Sequence, residues 1–343
     1  MSEQFVQINV IGSRAQRLTY TAPGEVLIET VQISDFADEN LLLKTLYSGI
    51  SRGTESLVFK GQVPESEWET MRCPFMAGDF SFPVTYGYAC VAEVIKKGAS
   101  VTDFEIGDHV FVLHPHQTII SVPAASCSKI PSGISPKRAV LTANMETALN
   151  AVWDAEVTTT PNCLVIGAGV VGLLTAYLAR TEANLNPVLI DTDENKRAVV
   201  EQLGFPFFQP MNTEDVERLG QGDLIFHTSA SGAGLQTAID MCAFEGKIIE
   251  MSWYGAKSVT LSLGGAFHSK RLKIVSSQVG AISPAKRTHF DFSKRMQKAI
   301  SLLEDPNLES LLEPEIKFTD IPQHLHDIFN PQSNALCQVI DYT

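Results

Sequence analysis

Residues 164–191, LVIGAGVVGLLTAYLARTEANLNPVLID, decide the fold. An apolar run (Leu164, Val165, Ile166) meets Gly167, Gly169 and Gly172 in G-x-G-x-x-G spacing, an amphipathic segment follows to Arg180, and a second apolar run ends at Asp191. The order reads as strand, turn, helix, strand. In a dinucleotide fingerprint of this kind, Gly167 permits the tight turn, Gly169 lets the backbone approach a pyrophosphate, and Gly172 lets the helix pack closely on the sheet. The anion would rest on unpaired N–H groups at the helix N-terminus, where Val170 and Val171 stand. Three glycines at this spacing arise by chance roughly 0.1 times in a chain of this length, so the bare motif is weak. Its context is what gives it weight, because an acidic residue, Asp191, follows about 20 residues later, where the ribose hydroxyls are read. A carboxylate there repels a 2′-phosphate, so the expected cofactor is NAD. Lys196 and Arg197 nearby keep NADP as the less favoured alternative.

Composition bounds what surrounds this unit. At 343 residues the chain has room for two ordinary domains. Hydrophobic residues make up 44% and charged residues 19%, the balance of a globular protein. A net charge of −13 speaks against nucleic acid or an anionic membrane as partner. The N-terminus lacks the basic-then-apolar plan of a signal peptide and no apolar run approaches a membrane span, so a cytoplasmic location is expected. Six scattered cysteines with no C-x-x-C pair fit neither a disulfide framework nor a structural zinc lobe.

Toward the N-terminus, β-branched and aromatic runs at 26–31, 41–47, 84–95 and 110–113 alternate with turn residues and predict a β-barrel-like domain. Residues 61–82 are too irregular for one element and read as a long binding loop or lid. Residues 136–157 predict a helix leading from the barrel to the glycine fingerprint. Beyond Asp191, apolar strands at 224–227, 248–251 and 272–275 alternate with helical segments, including one around 214–219, in a doubly wound pattern. Ligands bind off the carboxyl ends of such strands, which puts Ser229, then Trp253 and Tyr254, then Ser277, Gln278 and Gly280 toward the cofactor. His227 reads as a core histidine. Helices at 290–303 and 318–328 and a strand at 336–340 complete the pattern.

With YSGISRGTES (47–56), YGYACVAEV (86–94) and GDHVFV (107–112) preceding the glycine unit, the chain resembles the medium-chain dehydrogenase/reductase superfamily on its alcohol-dehydrogenase-like branch. It is similar to zinc-type alcohol dehydrogenase-like proteins and, more distantly, to bacteriochlorophyllide a dehydrogenase. The resemblance implies an α/β architecture: a β-rich GroES-like catalytic domain (1–147 and 285–343) and a doubly wound parallel-sheet (Rossmann) NAD-binding domain (148–284). It also implies an NAD-dependent oxidoreductase that moves hydride between an alcohol or carbonyl substrate and nicotinamide. A homodimer is expected, paired through an edge strand near 271–280.

The departures from that family concern its metal. Ser51, Tyr88 and Ala143 stand where zinc-dependent members place their three ligands, and a hydroxyl and a phenol are poor substitutes for thiolate and imidazole. Zinc is therefore not expected. Ser51, Tyr88, His116 and, by alignment, Thr147 beside the nicotinamide become the candidate catalytic residues. His114 and His116, at i and i+2 in an extended segment, would share a face, and His116 could exchange a proton with solvent. Were a metal present, His116, Glu55 and Glu146 would be the substitute ligands. Two alternatives stay open: an NADPH-dependent quinone or enoyl reductase, and an inactive NAD-binding redox sensor.

Overall fold

A computed structural model describes residues 14–33, 36–159, 161–210 and 219–343. The expected helix around 214–219 lies almost entirely outside them. The first two strands, β1 (Arg14–Ala22) and β2 (Glu25–Gln32), form an antiparallel hairpin. Its turn needs Gly24, whose φ of 79° is costly for any residue with a Cβ.

The barrel side is a seven-stranded sheet. β3 (Asn40–Ile50) is flanked by β4 (Cys90–Lys97) and also pairs with β6 (Ile119–Pro123). β5 (His109–Val112) and β7 (Cys127–Lys129) extend it on one side. Between β3 and β4 run a short helix, α1 (Arg52–Phe59), and the irregular loop. That loop is not a surface excursion, because it buries Cys73, Met76 and Phe80 against Tyr20, Phe59 and Tyr86. The strand expected over 84–95 begins only at Cys90. Gly87 explains why: its φ is 126°, and a Cβ there would lie 2.8 Å from His116 Nε2. Tyr88 therefore sits in irregular chain just before β4.

Helix α2 (Thr142–Asp154) leads across to the second sheet, to which β8 (Cys163–Ile166), β9 (Val188–Ile190), β10 (Phe207–Phe208), β11 (Gly222–His227), β12 (Cys242–Glu250) and β13 (Lys273–Ser276) contribute. All pairings are parallel, in the order β10-β9-β8-β11-β12-β13. The order reverses between β8 and β11, which opens a crevice at their carboxyl ends. Helices α3 (Val170–Thr181), α4 (Arg197–Gln202) and α5 (Gly232–Met241) connect the strands. α3 packs Leu173, Leu174 and Leu178 with no exposed surface, each stabilising by about 1.5–3 kcal/mol. This close seat requires Gly172, where a Cβ would lie 1.9 Å from the Gly167 carbonyl oxygen.

One core cluster runs through both sheets, from Phe111 and Val91 through Leu149 of α2 to Val165 and Phe226. Helix α6 (Phe292–Ser301) lies on α2, and α7 (Ile321–Ile328) packs under the barrel with Phe59. The chain returns to the first sheet as β14 (Ile316–Lys317) and β15 (Gln338–Asp341), the latter beside β3. None of the six cysteines forms a disulfide, and five are buried. Among the described residues no helix is long and apolar enough to cross a membrane.

Candidate functional site

A cleft of about 990 Å³ opens where β8 and β11 diverge. Its floor is the glycine turn. Gly167 has a φ of 107°, and a Cβ on it would lie 2.7 Å from Thr228 Oγ1, whereas a Cβ on Gly169 would meet nothing within 4 Å. The turn is thus packed tightly from below and left open above Gly169. That residue is also the N-cap of α3 and offers no side-chain cap, so the first N–H groups of the helix, at Val170, Val171 and Gly172, remain free for an anion. At the end of β9, Asp191 Oδ2 accepts from the Ala168 N–H (2.7 Å) and Oδ1 from the Asp193 N–H (2.9 Å). Each oxygen keeps lone-pair capacity for a diol, and the carboxylate is fixed to the turn it serves.

Ser229, Trp253 and Tyr254 line the same cleft, as does Lys196. The Lys196 ammonium is engaged, since it donates to the Asn334 carbonyl. Burial lowers its pKa and Arg52 adds to this, with Asp193 and Asp191 opposing. Arg52 and Lys60 are held in the same way. Arg52 donates to the carbonyls of Ile328 (2.8 Å), Asn330 (3.1 Å) and Ala335, and Lys60 to that of Phe329 (2.9 Å). Three cations therefore grip one backbone segment along the wall of the cleft. Sequence reading missed this segment, because carbonyl acceptors carry no residue signature. Ser277, Gln278 and Gly280 do not line the cleft, and the Ser277 hydroxyl donates to Asp154 (2.7 Å).

Of the four catalytic candidates, only Ser51 lines the cleft. Thr147 does not. Its hydroxyl donates to the Ala143 carbonyl one turn back (3.0 Å), and Asn144, a turn earlier on α2, faces the space instead. Tyr88 is half-buried behind Ser51. Burial pushes its phenol well above the ordinary range and Glu55 adds to this, while hydrogen bonding with Ser51 and Thr54 draws it partly back.

His116 has no exposed side-chain surface and cannot exchange a proton directly with solvent. Its Nε2 meets Glu55 Oε2 at 3.0 Å and its Nδ1 meets Ser48 Oγ at 2.7 Å. Glu55 Oε1 in turn accepts the Ser51 N–H at 2.7 Å, and Ser48 continues to the Tyr342 hydroxyl at 2.9 Å. His114 does not join this network. It stacks on Phe75 and bonds to the Pro115 carbonyl (2.8 Å), and burial lowers its pKa to about 4. Glu146 is likewise elsewhere, bound to Arg295 Nε at 3.0 Å. The substitute metal ligands His116, Glu55 and Glu146 thus do not converge. Among the described residues no group of three His, Cys, Asp or Glu is placed to hold a metal ion. A zinc ion at the aligned positions would find a serine hydroxyl, a protonated phenol and an alanine, which do not fit its preference for thiolate and imidazole.

His227, read from sequence as a core residue, is fully buried but chemically connected. It links Glu250 to the cleft-lining Ser229.

No family model matches the chain. Among curated proteins, the D-guloside 3-dehydrogenase of Escherichia coli is 24% identical over 330 residues, spanning 90% of this chain and 94% of that protein. Among solved structures, a protein from Sinorhizobium meliloti described as a zinc-binding dehydrogenase, bound to NADP, superposes with a TM-score of 0.76 at 17% identity. An alcohol dehydrogenase from Escherichia coli complexed with NADH does so with a TM-score of 0.77 at 16% identity. Each structure covers 96% of this chain and 100% of its own. With the mixed antiparallel sheet and the six-stranded parallel sheet, the chain has the fold of these dehydrogenases, and it is similar to proteins of the medium-chain, zinc-type alcohol dehydrogenase-like kind.

Proposed function

We propose that the chain is an NAD-dependent oxidoreductase acting on an alcohol or the corresponding carbonyl, without a catalytic zinc. The observation that carries this reading is the open space over Gly169, between the free N–H groups of α3 and the tethered carboxylate of Asp191. A pyrophosphate fits the first and a ribose diol the second. NAD is favoured over NADP because Asp191 repels a 2′-phosphate and the neighbouring Lys196 ammonium is already bound to Asn334.

Bound nicotinamide would supply or accept the hydride. The protein must hold the substrate oxygen and manage its proton. The position of Ser51 on the barrel-side wall of the cleft supports its hydroxyl in the first of these roles. Tyr88 stands behind it, and because burial keeps the phenol protonated it has a hydrogen to give to that contact. Glu55 fixes the Ser51 backbone from below. The named activity of the curated relative, oxidation at a glycoside carbon, makes polyhydroxylated secondary alcohols the first substrates to try. A homodimer is also proposed, through β13, which among the described residues is the last strand of its sheet, with a partner on one side.

The test is a turnover screen of the purified chain with NAD and with NADP against glycosides, polyols and simple secondary alcohols, followed by NAD(P)H absorbance. Metal analysis and light scattering are run on the same preparation. Turnover with NAD by protein free of zinc is expected. Activity that tracks about one zinc per chain, or a clear preference for NADP, would overturn the corresponding part.

A further inference from the structure

Strands β11 and β12 are parallel neighbours in a register that sets His227 beside Glu250. The imidazole, which has no exposed side-chain surface, is clasped at both nitrogens. Nδ1 lies 2.8 Å and 3.0 Å from the two carboxylate oxygens of Glu250, and Nε2 lies 2.7 Å from Ser229 Oγ. Glu250 is itself saturated, accepting the Ser252 N–H (2.7 Å) and the Tyr254 hydroxyl (3.1 Å). Ser229 brings the imidazole end of this chain to the cleft, which Tyr254 also lines from the carboxylate end. It stands against the glycine turn, since a Cβ on Gly167 would lie 2.9 Å from its backbone nitrogen.

Resting on the dinucleotide reading above, we propose that His227 and Glu250 are positioning residues that turn the Ser229 hydroxyl hydrogen inward. Ser229 Oγ then faces the cleft as an acceptor for a hydroxyl or amide N–H of the dinucleotide. The argument follows the protons. Burial alone would raise Glu250, but the carboxyl is held below its usual range, and the hydrogen bonds it accepts from His227 and the Ser252 N–H contribute to this with the ring neutral. An ionised carboxylate only accepts, so Nδ1 carries the imidazole hydrogen. In the neutral ring Nε2 is then an acceptor, and the group in reach to donate to it is the Ser229 O–H. The lone pairs of Oγ are left to the cleft. Such an oxygen repels a phosphate oxygen and accepts from a ribose hydroxyl or the carboxamide.

Gly234 completes the device. A Cβ there would fall 2.2 Å from Ser229 Oγ and 2.9 Å from His227 Nε2, so only glycine leaves room for the bond.

Two measurements test this. Long-range proton–nitrogen NMR on histidine-labelled protein at pH 8, assigned with His227→Gln, should show a hydrogen on His227 Nδ1 and none on Nε2. An Nε2–H tautomer would overturn the proposal whether or not any ligand binds. Calorimetric titration with NADH is the second. Ser229→Ala should weaken binding about tenfold, the scale of one lost hydrogen bond. Glu250→Gln can place an amide N–H against Nδ1 and reverse the tautomer, as an Asp→Asn change does in serine hydrolase triads. It should weaken binding to a similar degree alone and not further in the Ser229→Ala background. Additive losses would mean a structural role and sink the idea, as would variants that bind like wild type. A wild-type protein that binds no dinucleotide would instead remove the functional reading. Titration with ADP-ribose separates the two donors, since a Ser229→Ala loss that persists assigns a ribose hydroxyl and one that disappears assigns the carboxamide.

Discussion

Each half of the molecule holds a buried histidine against a glutamate, and the two pairs behave differently. In the barrel, His116 and Glu55 have no exposed side-chain surface, and every hydrogen bond they make goes to protein: Ser48, the Ser51 backbone and each other. In the parallel sheet, Glu250 keeps a little exposure and the His227 chain ends at Ser229, on the wall of the cleft. The first pair is closed and acts as a staple between α1, β3 and the segment before β6. The second is open to the cleft, through Ser229 and through Tyr254. The same two side chains therefore serve packing or recognition according to whether the last hydroxyl in the chain reaches a cavity.

The comparison is broken most directly by His116→Ala. It leaves the Glu55 carboxylate buried with one of its oxygens unpartnered, a change that costs about 3–5 kcal/mol. His227→Ala should cost less, because Glu250 retains the Ser252 N–H and the Tyr254 hydroxyl. Denaturant unfolding of both variants checks this, and equal losses would show that the closed and open pairs are not distinct.

His114 sharpens the comparison as a buried histidine without a carboxylate. Its folded pKa of about 4 lies below the ordinary 6.5, with burial the main cause and His116 adding to it. The unfolded chain takes up the proton first as pH falls, so stability is full above about pH 6.5 and declines toward pH 4. The loss is roughly 3 kcal/mol by the linkage relation. His114→Gln should flatten that part of the stability profile. An unchanged slope between pH 6.5 and 4 would show that His114 is not the group responsible.

Tyr88→Phe tests whether the staple serves the cleft. Removing the phenol behind Ser51 should lower kcat by about 10²-fold, the scale of one lost oxyanion donor, with NADH affinity nearly unchanged. Wild-type turnover would leave Ser51 to act without it.

What could be read from sequence followed from how local each signal is. The glycine turn, its helix and Asp191 lie within 28 consecutive residues, so their spacing alone foretold which of them would line the cleft. Glu55 and His116 are 61 positions apart, and their pairing depends on where the segment before β6 crosses α1. His227 and Glu250 meet only through the β11–β12 register, which no local pattern fixes. His116 looked available because two histidines at i and i+2 in an extended segment share a face, but its ring is buried where the missing Cβ of Gly87 leaves room for it. Thr147 was misplaced because alignment gives a position on α2 without its rotation, and Asn144 turned out to face the cleft.

The smallest expected effect separates closed from open positions within the glycine turn itself. At Gly172 an added methyl would collide with the Gly167 carbonyl oxygen at 1.9 Å, so that change tests packing and cofactor binding together and cannot tell them apart. At Gly169 nothing lies within 4 Å, and the backbone φ of −78° suits any residue. Gly169→Ala should therefore leave unfolding midpoints unchanged or slightly raised, because the unfolded chain loses freedom. Its methyl would instead stand in the space left for the pyrophosphate and keep it from the free N–H groups of α3. NADH affinity should fall about tenfold, as for the loss of one good hydrogen bond, and adenosine, which lacks the phosphates, should show no such penalty. Calorimetry with both ligands decides it. If Gly169→Ala binds NADH as wild type does, the space over the turn is not where the pyrophosphate sits, and the dinucleotide must lie elsewhere along the cleft.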